Sequence, residues 1–266
     1  TQQEIISEFQ NAFALHSKGD LNKAERLYKK ILKKSPRHFD TLRHLGILYQ
    51  DRQMFESAEK FYLKAYKINS DHFSIYNNLG TIKFLQFQME EALDFYKTAF
   101  KLNPKYIPVI NNISAYYHRQ FRNEECIKFA NLALSIEPEN LTSRVNYAKA
   151  LSINNELNKS IEIFKKILKV APDSNNYINL GTAYRNIGEI DKSYVCFEKA
   201  LKCDPNDAGA FFNLSASKLN KPNKNIIANF EKTLKSSKNL VYSDKASIAF
   251  GIYNNYKKLK DHEAAG

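Results

Sequence analysis

Five asparagines stand at one register of this 266-residue chain: Asn78, Asn112, Asn146, Asn179 and Asn213. The steps between them are 34, 34, 33 and 34 residues, and His44 holds the same register 34 residues before Asn78. A carboxamide side chain carries both a donor and an acceptor, so it matches the C=O and N–H of a peptide backbone. Asparagine is a mediocre interior helix residue, so helix propensity does not ask for it. The chemistry this pattern offers is hydrogen bonding to an extended polypeptide, with little regard to the side chains that polypeptide carries.

No catalytic constellation accompanies the asparagines. The chain has no G-x-S-x-G, Walker loop, H-E-x-x-H or G-x-G-x-x-G, which removes the common hydrolase, nucleotide and zinc-protease signatures. Its six histidines are scattered, and none has a second ligand at metal spacing. Cys126, Cys196 and Cys203 show no C-x-x-C spacing. They read as reduced, mostly buried small hydrophobes in a reducing, cytoplasmic compartment. No run of 18 apolar residues exists, so no membrane span is expected. Neither enzyme activity nor a cofactor is expected of this chain.

The elements that must position the asparagines follow from the step itself, because a fixed period of 33 or 34 residues is the signature of stacked helical units. Apolar residues recur at three- and four-residue spacing, the period of amphipathic helices. One unit carries Leu42, Leu45 and Tyr49 on its first helix, then Ala58, Phe61, Tyr62 and Ala65 on its second, around the polar turn Asp51-Arg52-Gln53. The next carries Tyr76, Leu79 and Gly80, then Ala92, Tyr96 and Ala99. Small residues recur where the two helices cross. They are Ala12, Gly46, Gly80, Ser114, Ala148 and Gly181 on the first helix, facing Ala24, Ala58, Ala92, Cys126, Ser160 and Ser193 on the second. Larger side chains there would push the pair apart. Pro36, Pro104, Pro138, Pro172 and Pro205 close the units, with Ser70 in place of one, because proline cannot continue a helix.

The 43% hydrophobic and 13% aromatic content suffices for a continuous core and excludes disorder. A formal net charge of +12 would suit nucleic acid, an anionic surface or an acidic protein. Placement favours a blander reading. Lys29, Lys30, Lys33, Lys60, Lys64, Lys97, Lys101, Lys165, Lys166, Lys169, Lys199 and Lys202 all fall on second helices, as a solvated wall would.

Together these residues resemble the tetratricopeptide repeat family, from Ile5 to about Lys238. The resemblance implies an all-α, right-handed α-solenoid superhelix of about seven helix pairs with a C-terminal helix. Units are expected at 5–38, 39–72, 73–106, 107–140, 141–173, 174–207 and a divergent 208–240. Departures are Asn11, where the family usually has leucine, and the short turn Asn220-Lys221-Pro222-Asn223. A terminal helix is expected over 243–260, with Ser243-Asp244 as its cap, and Asp261–Ala265 as the start of a partner helix in a truncated eighth unit. The start, Thr-Gln-Gln-Glu-Ile-Ile, lacks an initiator Met and a signal-peptide core, so the chain is expected to be part of a longer protein.

In this family the residue two before the glycine position projects onto a concave inner face. The resemblance therefore implies that the five asparagines line a groove, with Arg43, His44, His118, Arg119 and Arg185 as further candidate contacts. The His118–Arg119 pair also reads as a solvated helix end. With helix pairs on the order of 10 Å apart and about 3.4 Å of rise per extended residue, one asparagine would meet the backbone roughly every third residue. The ladder is similar to that of the tetratricopeptide domain of O-linked N-acetylglucosamine transferase. The carboxylate clamp of chaperone-binding repeats is not matched, because Arg43, Ile47, Asn78, Pro108 and Asn112 occupy its positions. Helical-repeat RNA readers step at about 35 residues, and the glycine, alanine and proline pattern argues against them. The closing stretch from Ser243 to Ala265 is similar to the end of the array in bacterial tetratricopeptide sulfotransferases. That likeness implies a transferase array, with a glycosyltransferase as the other candidate. The function expected first is a scaffold or substrate-recruiting domain that binds a protein or extended peptide.

Overall fold

The computed structural model describes residues 1–236 and 242–265, with side chains through residue 260. Every regular element among the described residues is an α-helix. The chain divides into two compact units, Thr1–Glu137 and Pro138–Gly266. The first holds four helix pairs: α1 (Gln2–Ser17) with α2 (Leu21–Lys34), α3 (Phe39–Asp51) with α4 (Phe55–Tyr66), α5 (Phe73–Leu85) with α6 (Met89–Leu102), and α7 (Ile107–Arg119) with α8 (Asn123–Ile136). The second opens with α9 (Leu141–Ile153) on α10 (Leu157–Val170) and α11 (Ser174–Asn186) on α12 (Ile190–Cys203). It closes with α13 (Ala208–Ala216), α14 (Lys224–Ser236) and α15 (Tyr242–Ala265).

Three of the pairs close where a glycine meets an aromatic ring. A Cβ on Gly46 would stand 2.3 Å from the Tyr62 ring, one on Gly80 2.7 Å from Tyr96, and one on Gly181 2.7 Å from Phe197. Those rings are fully or almost fully buried, so they have no free space to retreat into. Where the first helix carries serine, the facing position changes to suit it. Ser114 Oγ donates to the Cys126 carbonyl at 3.0 Å. In the next pair the roles reverse, and Ser160 Oγ donates to the Ala148 carbonyl at 2.7 Å.

The three-residue turn inside each pair repeats one backbone device. Gly19, Gln53, Phe87, Phe121, Asn155 and Gly188 all have positive φ, between 56° and 82°. In the first turn Gly19 N–H reaches the His16 carbonyl and Asp20 N–H the Leu15 carbonyl, the reciprocal capping that a left-handed residue makes possible. Glycine adopts this conformation without strain, whereas Phe87 and Phe121 do so against their own Cβ. Prolines act as expected at the other ends. Ser35, Asn103, Glu137, Ala171 and Asp204, each just before a proline, are turned to φ near −130° to −144°, because proline crowds the helical conformation of its predecessor. Where Ser70 stands in the proline's place, α4 ends earlier, at Tyr66, with its cap Lys67 at φ −63°.

The end of the second unit departs from simple pairing. α13 has nine residues where α3, α5, α7, α9 and α11 each have thirteen. Its backbone packs chiefly on α15, where a Cβ on Gly251 would stand 2.5 Å from the Phe211 ring. α14 reaches α13 through Phe230, whose ring stacks on Phe211 at 4.0 Å. The expected 208–240 unit ends partly outside the described residues. Beyond it, α15 runs unbroken to Ala265, so Asp261–Ala265 continues that helix rather than starting another; no proline or glycine stands between Leu259 and Ala265 to stop it.

Candidate functional site

The predicted asparagines all lie in mid-helix on first helices: Asn78 on α5, Asn112 on α7, Asn146 on α9, Asn179 on α11 and Asn213 on α13. Their surroundings differ. Asn78 is only 9% exposed, whereas Asn112, Asn146, Asn179 and Asn213 are half-buried. Asn112 Nδ2 donates to Asn77 Oδ1 at 2.9 Å and to Thr81 Oγ1 at 3.2 Å, so its amide hydrogens tie α7 to α5. Asn213 Nδ2 donates back to the Gly209 carbonyl at 2.8 Å, while its Oδ1 accepts from Arg185 Nη1 at 2.8 Å. Helical periodicity gives the angle at which a residue leaves its own helix. It does not show how near the neighbouring helix brings a second polar group, and Asn77 and Thr81 were not foreseen. The doubled Asn77-Asn78 and Asn111-Asn112 were the available signal.

His44 shares the asparagine register but is 8% exposed, packed edge-on to Phe9 and Phe13 and tilted on Tyr28. Its Nδ1 lies 2.9 Å from the Asp40 carbonyl and donates to it. That leaves Nε2 as an acceptor, 3.5 Å from Arg43 Nη2. Burial, reinforced by the Arg43 charge, pushes the His44 pKa down to about 4, so the ring is neutral near pH 7. The Arg43 charge is also felt at His72 and Tyr106, which head α5 and α7.

Two donors here have no acceptor. Arg43 Nε and Asn78 Nδ2 are both buried without a hydrogen-bond partner among the described residues. Asn78 Oδ1 faces Asn77 Nδ2 at 3.4 Å, a long contact that leaves its own amide hydrogens unspent.

The remaining candidates sit at helix ends. His118 is half-buried and Arg119 exposed in the last turn of α7. The Arg119 guanidinium lies over Phe84 at 5.1 Å and Phe87 at 4.6 Å, so it covers aromatic surface at the turn between α5 and α6. Arg185, exposed in the last turn of α11, lies over Phe197 at 5.8 Å as it bonds Asn213. All twelve lysines assigned to a solvated wall are exposed on second helices. No helix among the described residues is long and apolar enough to cross a membrane.

Comparison with known proteins gives a consistent answer. Two family models described as "Tetratricopeptide repeat" match this chain, one at residues 176–207 and the other at 42–72, 73–106 and 141–174. No curated protein matches it in sequence. Among solved structures, a tetratricopeptide repeat protein from Parabacteroides merdae superposes with a TM-score of 0.67 at 18% identity, covering 94% of this chain and 99% of that one. Cut9–Hcn1, a hetero-tetramer of the APC/C, gives 0.72 at 15% identity over 91% of this chain and 48% of that one. Yeast Tom70 gives 0.61 at 20% identity over 96% and 54%. This chain thus spans about half the length of the latter two.

Proposed function

Since the chain belongs to the tetratricopeptide repeat family, we propose that it is a non-catalytic scaffold whose first helices hold an extended polypeptide by its backbone. The observation that carries this reading is the pair of unanswered donors, Arg43 Nε and Asn78 Nδ2. A buried donor with no acceptor costs about 1–3 kcal/mol, and buried polar groups are otherwise almost always paired. A peptide carbonyl is the acceptor such donors lack, and its arrival would recover that cost. Asn179, half-buried and with no side-chain hydrogen bond among the described residues, offers the same group in the second unit. The Cut9–Hcn1 neighbour, itself part of a protein assembly, fits a protein or peptide partner.

The test is binding to an array of short peptides by the parent and by Asn78→Leu. Leucine keeps the approximate shape and removes the donor, so the variant should fold at least as stably and lose binding several-fold. Parent-like binding by a stable Asn78→Leu protein would contradict the reading.

A further inference from the structure

α13 stops after nine residues, four short of the other first helices named above. Beside its last turn lies a cavity of about 260 Å³, lined by Arg185, Asn213, Ser217 and Lys218 on one side and by α12 on the other. The α12 wall is largely apolar, with Ile190 and Phe197 beside the Ser193 hydroxyl. Two cationic side chains and no carboxylate line it.

The cation nearest the apolar wall is held in place. Arg185 is bonded to Asn213 Oδ1 at 2.8 Å and lies over the Phe197 ring. A guanidinium has five N–H donors, so one bond to Asn213 leaves the rest of the fork for another acceptor. The carbonyl end of α13 would ordinarily repel an anion at this place. Lys258, from α15, covers it: its ammonium donates to the Ser215 carbonyl at 2.9 Å and to the Ser217 carbonyl at 2.5 Å. The site therefore combines a held fork, a second, exposed cation, a masked helix end and an apolar wall.

We infer that this cavity binds a carboxylate carried beside an apolar side chain of a partner polypeptide, with Arg185 and Lys218 taking the carboxylate and Ile190 and Phe197 the apolar group. Its volume is below the range of whole small-molecule pockets, and it suits one side chain with its acidic neighbour. The inference rests on the proposed function, since it names a chemistry that a bound polypeptide should carry. The carboxylate could be a chain terminus or an Asp or Glu side chain, and both present the same two oxygens to the fork.

Three fluorescein-labelled probes separate these cases by fluorescence polarisation: a Gly-Ser-Ala-Leu peptide with a free C-terminus, the same peptide amidated, and an amidated Gly-Ser-Leu-Asp-Gly. At least one carboxylate probe should bind in a salt-sensitive way, and the amidated Gly-Ser-Ala-Leu should bind at least ten-fold more weakly. Which carboxylate probe binds identifies the source. Arg185→Gln and Lys218→Gln should each weaken it several-fold; both side chains are exposed, and unchanged melting curves would confirm intact folding. Asn78→Leu, in the other compact unit, should leave these probes unaffected, so failure of the backbone-holding reading and failure of this one are separable. Binding of the amidated Gly-Ser-Ala-Leu as tight as that of the better carboxylate probe, binding by neither carboxylate probe, or parent-like affinity in Arg185→Gln would overturn the assignment.

Discussion

Asn112 Nδ2 stands 2.9 Å from Asn77 Oδ1, a side-chain hydrogen bond from α7 to α5 that spans 35 residues of sequence. With Thr81 Oγ1 as its second acceptor, this amide holds neighbouring helix pairs together. Asn78, one residue from its partner, has its own amide hydrogens unanswered. Adjacent residues in one asparagine-rich patch thus differ in what they contribute.

Substitution should expose that difference. Asn112→Leu removes two inter-helix bonds and should cost about 1–2 kcal/mol. Asn78→Leu removes an unpaired buried donor and should be neutral or stabilising by up to about 1 kcal/mol. Urea unfolding of both variants decides it. Equal destabilisation would show that Asn78 is paired in solution.

Gly46 offers a stringent test of packing. Alanine is a better interior helix former than glycine by about 1 kcal/mol, yet its Cβ would stand 2.3 Å from the Tyr62 ring. Gly46→Ala should nevertheless lose about 1–3 kcal/mol, as overpacked cores do. A second change, Tyr62→Leu, should return part of the loss. A gain in stability from Gly46→Ala alone would refute the crossing described here.

Phe121 is 79% exposed and left-handed, with φ 56°. It gains little from burial and bears the strain of its Cβ, about 1–2 kcal/mol. Phe121→Gly should therefore raise stability by about 0.5–1 kcal/mol after glycine's greater freedom in the unfolded chain is counted. A fall in melting temperature would mean that the exposed ring has contacts that hold it.

His44 makes acid stability predictable. Burial first, and Arg43 second, lower its pKa from 6.5 to about 4. Below its ordinary pKa the unfolded chain binds a proton that the folded chain refuses, so stability is full above pH 6.5 and falls as the pH drops toward 4. The loss should approach the order of 3 kcal/mol. His44→Gln should flatten most of that slope, the remainder belonging to His72, whose pKa burial and Arg43 also lower, and toward pH 4 to carboxylates such as Glu25, whose bonds from Lys29, Tyr49 and Arg52 outweigh its burial and hold its pKa down to about 2. An unchanged slope in His44→Gln would place the histidine in water.

The fold was largely legible because its determinants are local and periodic. Gly80 opposite Tyr96, and proline at Pro104 just past α6, state the helix crossing and the helix end in residue types alone. The turns were less so: Gly19 and Gly188 announce left-handed backbone, but Phe87 and Phe121 do so only by their position in the repeat. The short α13 was hidden as well, since its packing on α15 joins residues such as Phe211 and Gly251 across an intervening helix. At the candidate site the register of the asparagines was readable. Which amides were already spent was not, because that depends on atoms such as Thr81 Oγ1 on a neighbouring helix.

The central claim is that Asn78 grips peptide backbone, and a double-mutant cycle between protein and ligand measures it directly. The ligand is the strongest binder from the peptide array, resynthesised with single amides replaced by esters, whose carbonyl oxygens accept hydrogen bonds more weakly. In the parent, one replacement should lower affinity several-fold, about 0.5–1.5 kcal/mol for a net hydrogen bond. In Asn78→Leu that same replacement should cost nothing further. An ester scan that costs the same at every position in both proteins would show that the backbone is not what Asn78 holds.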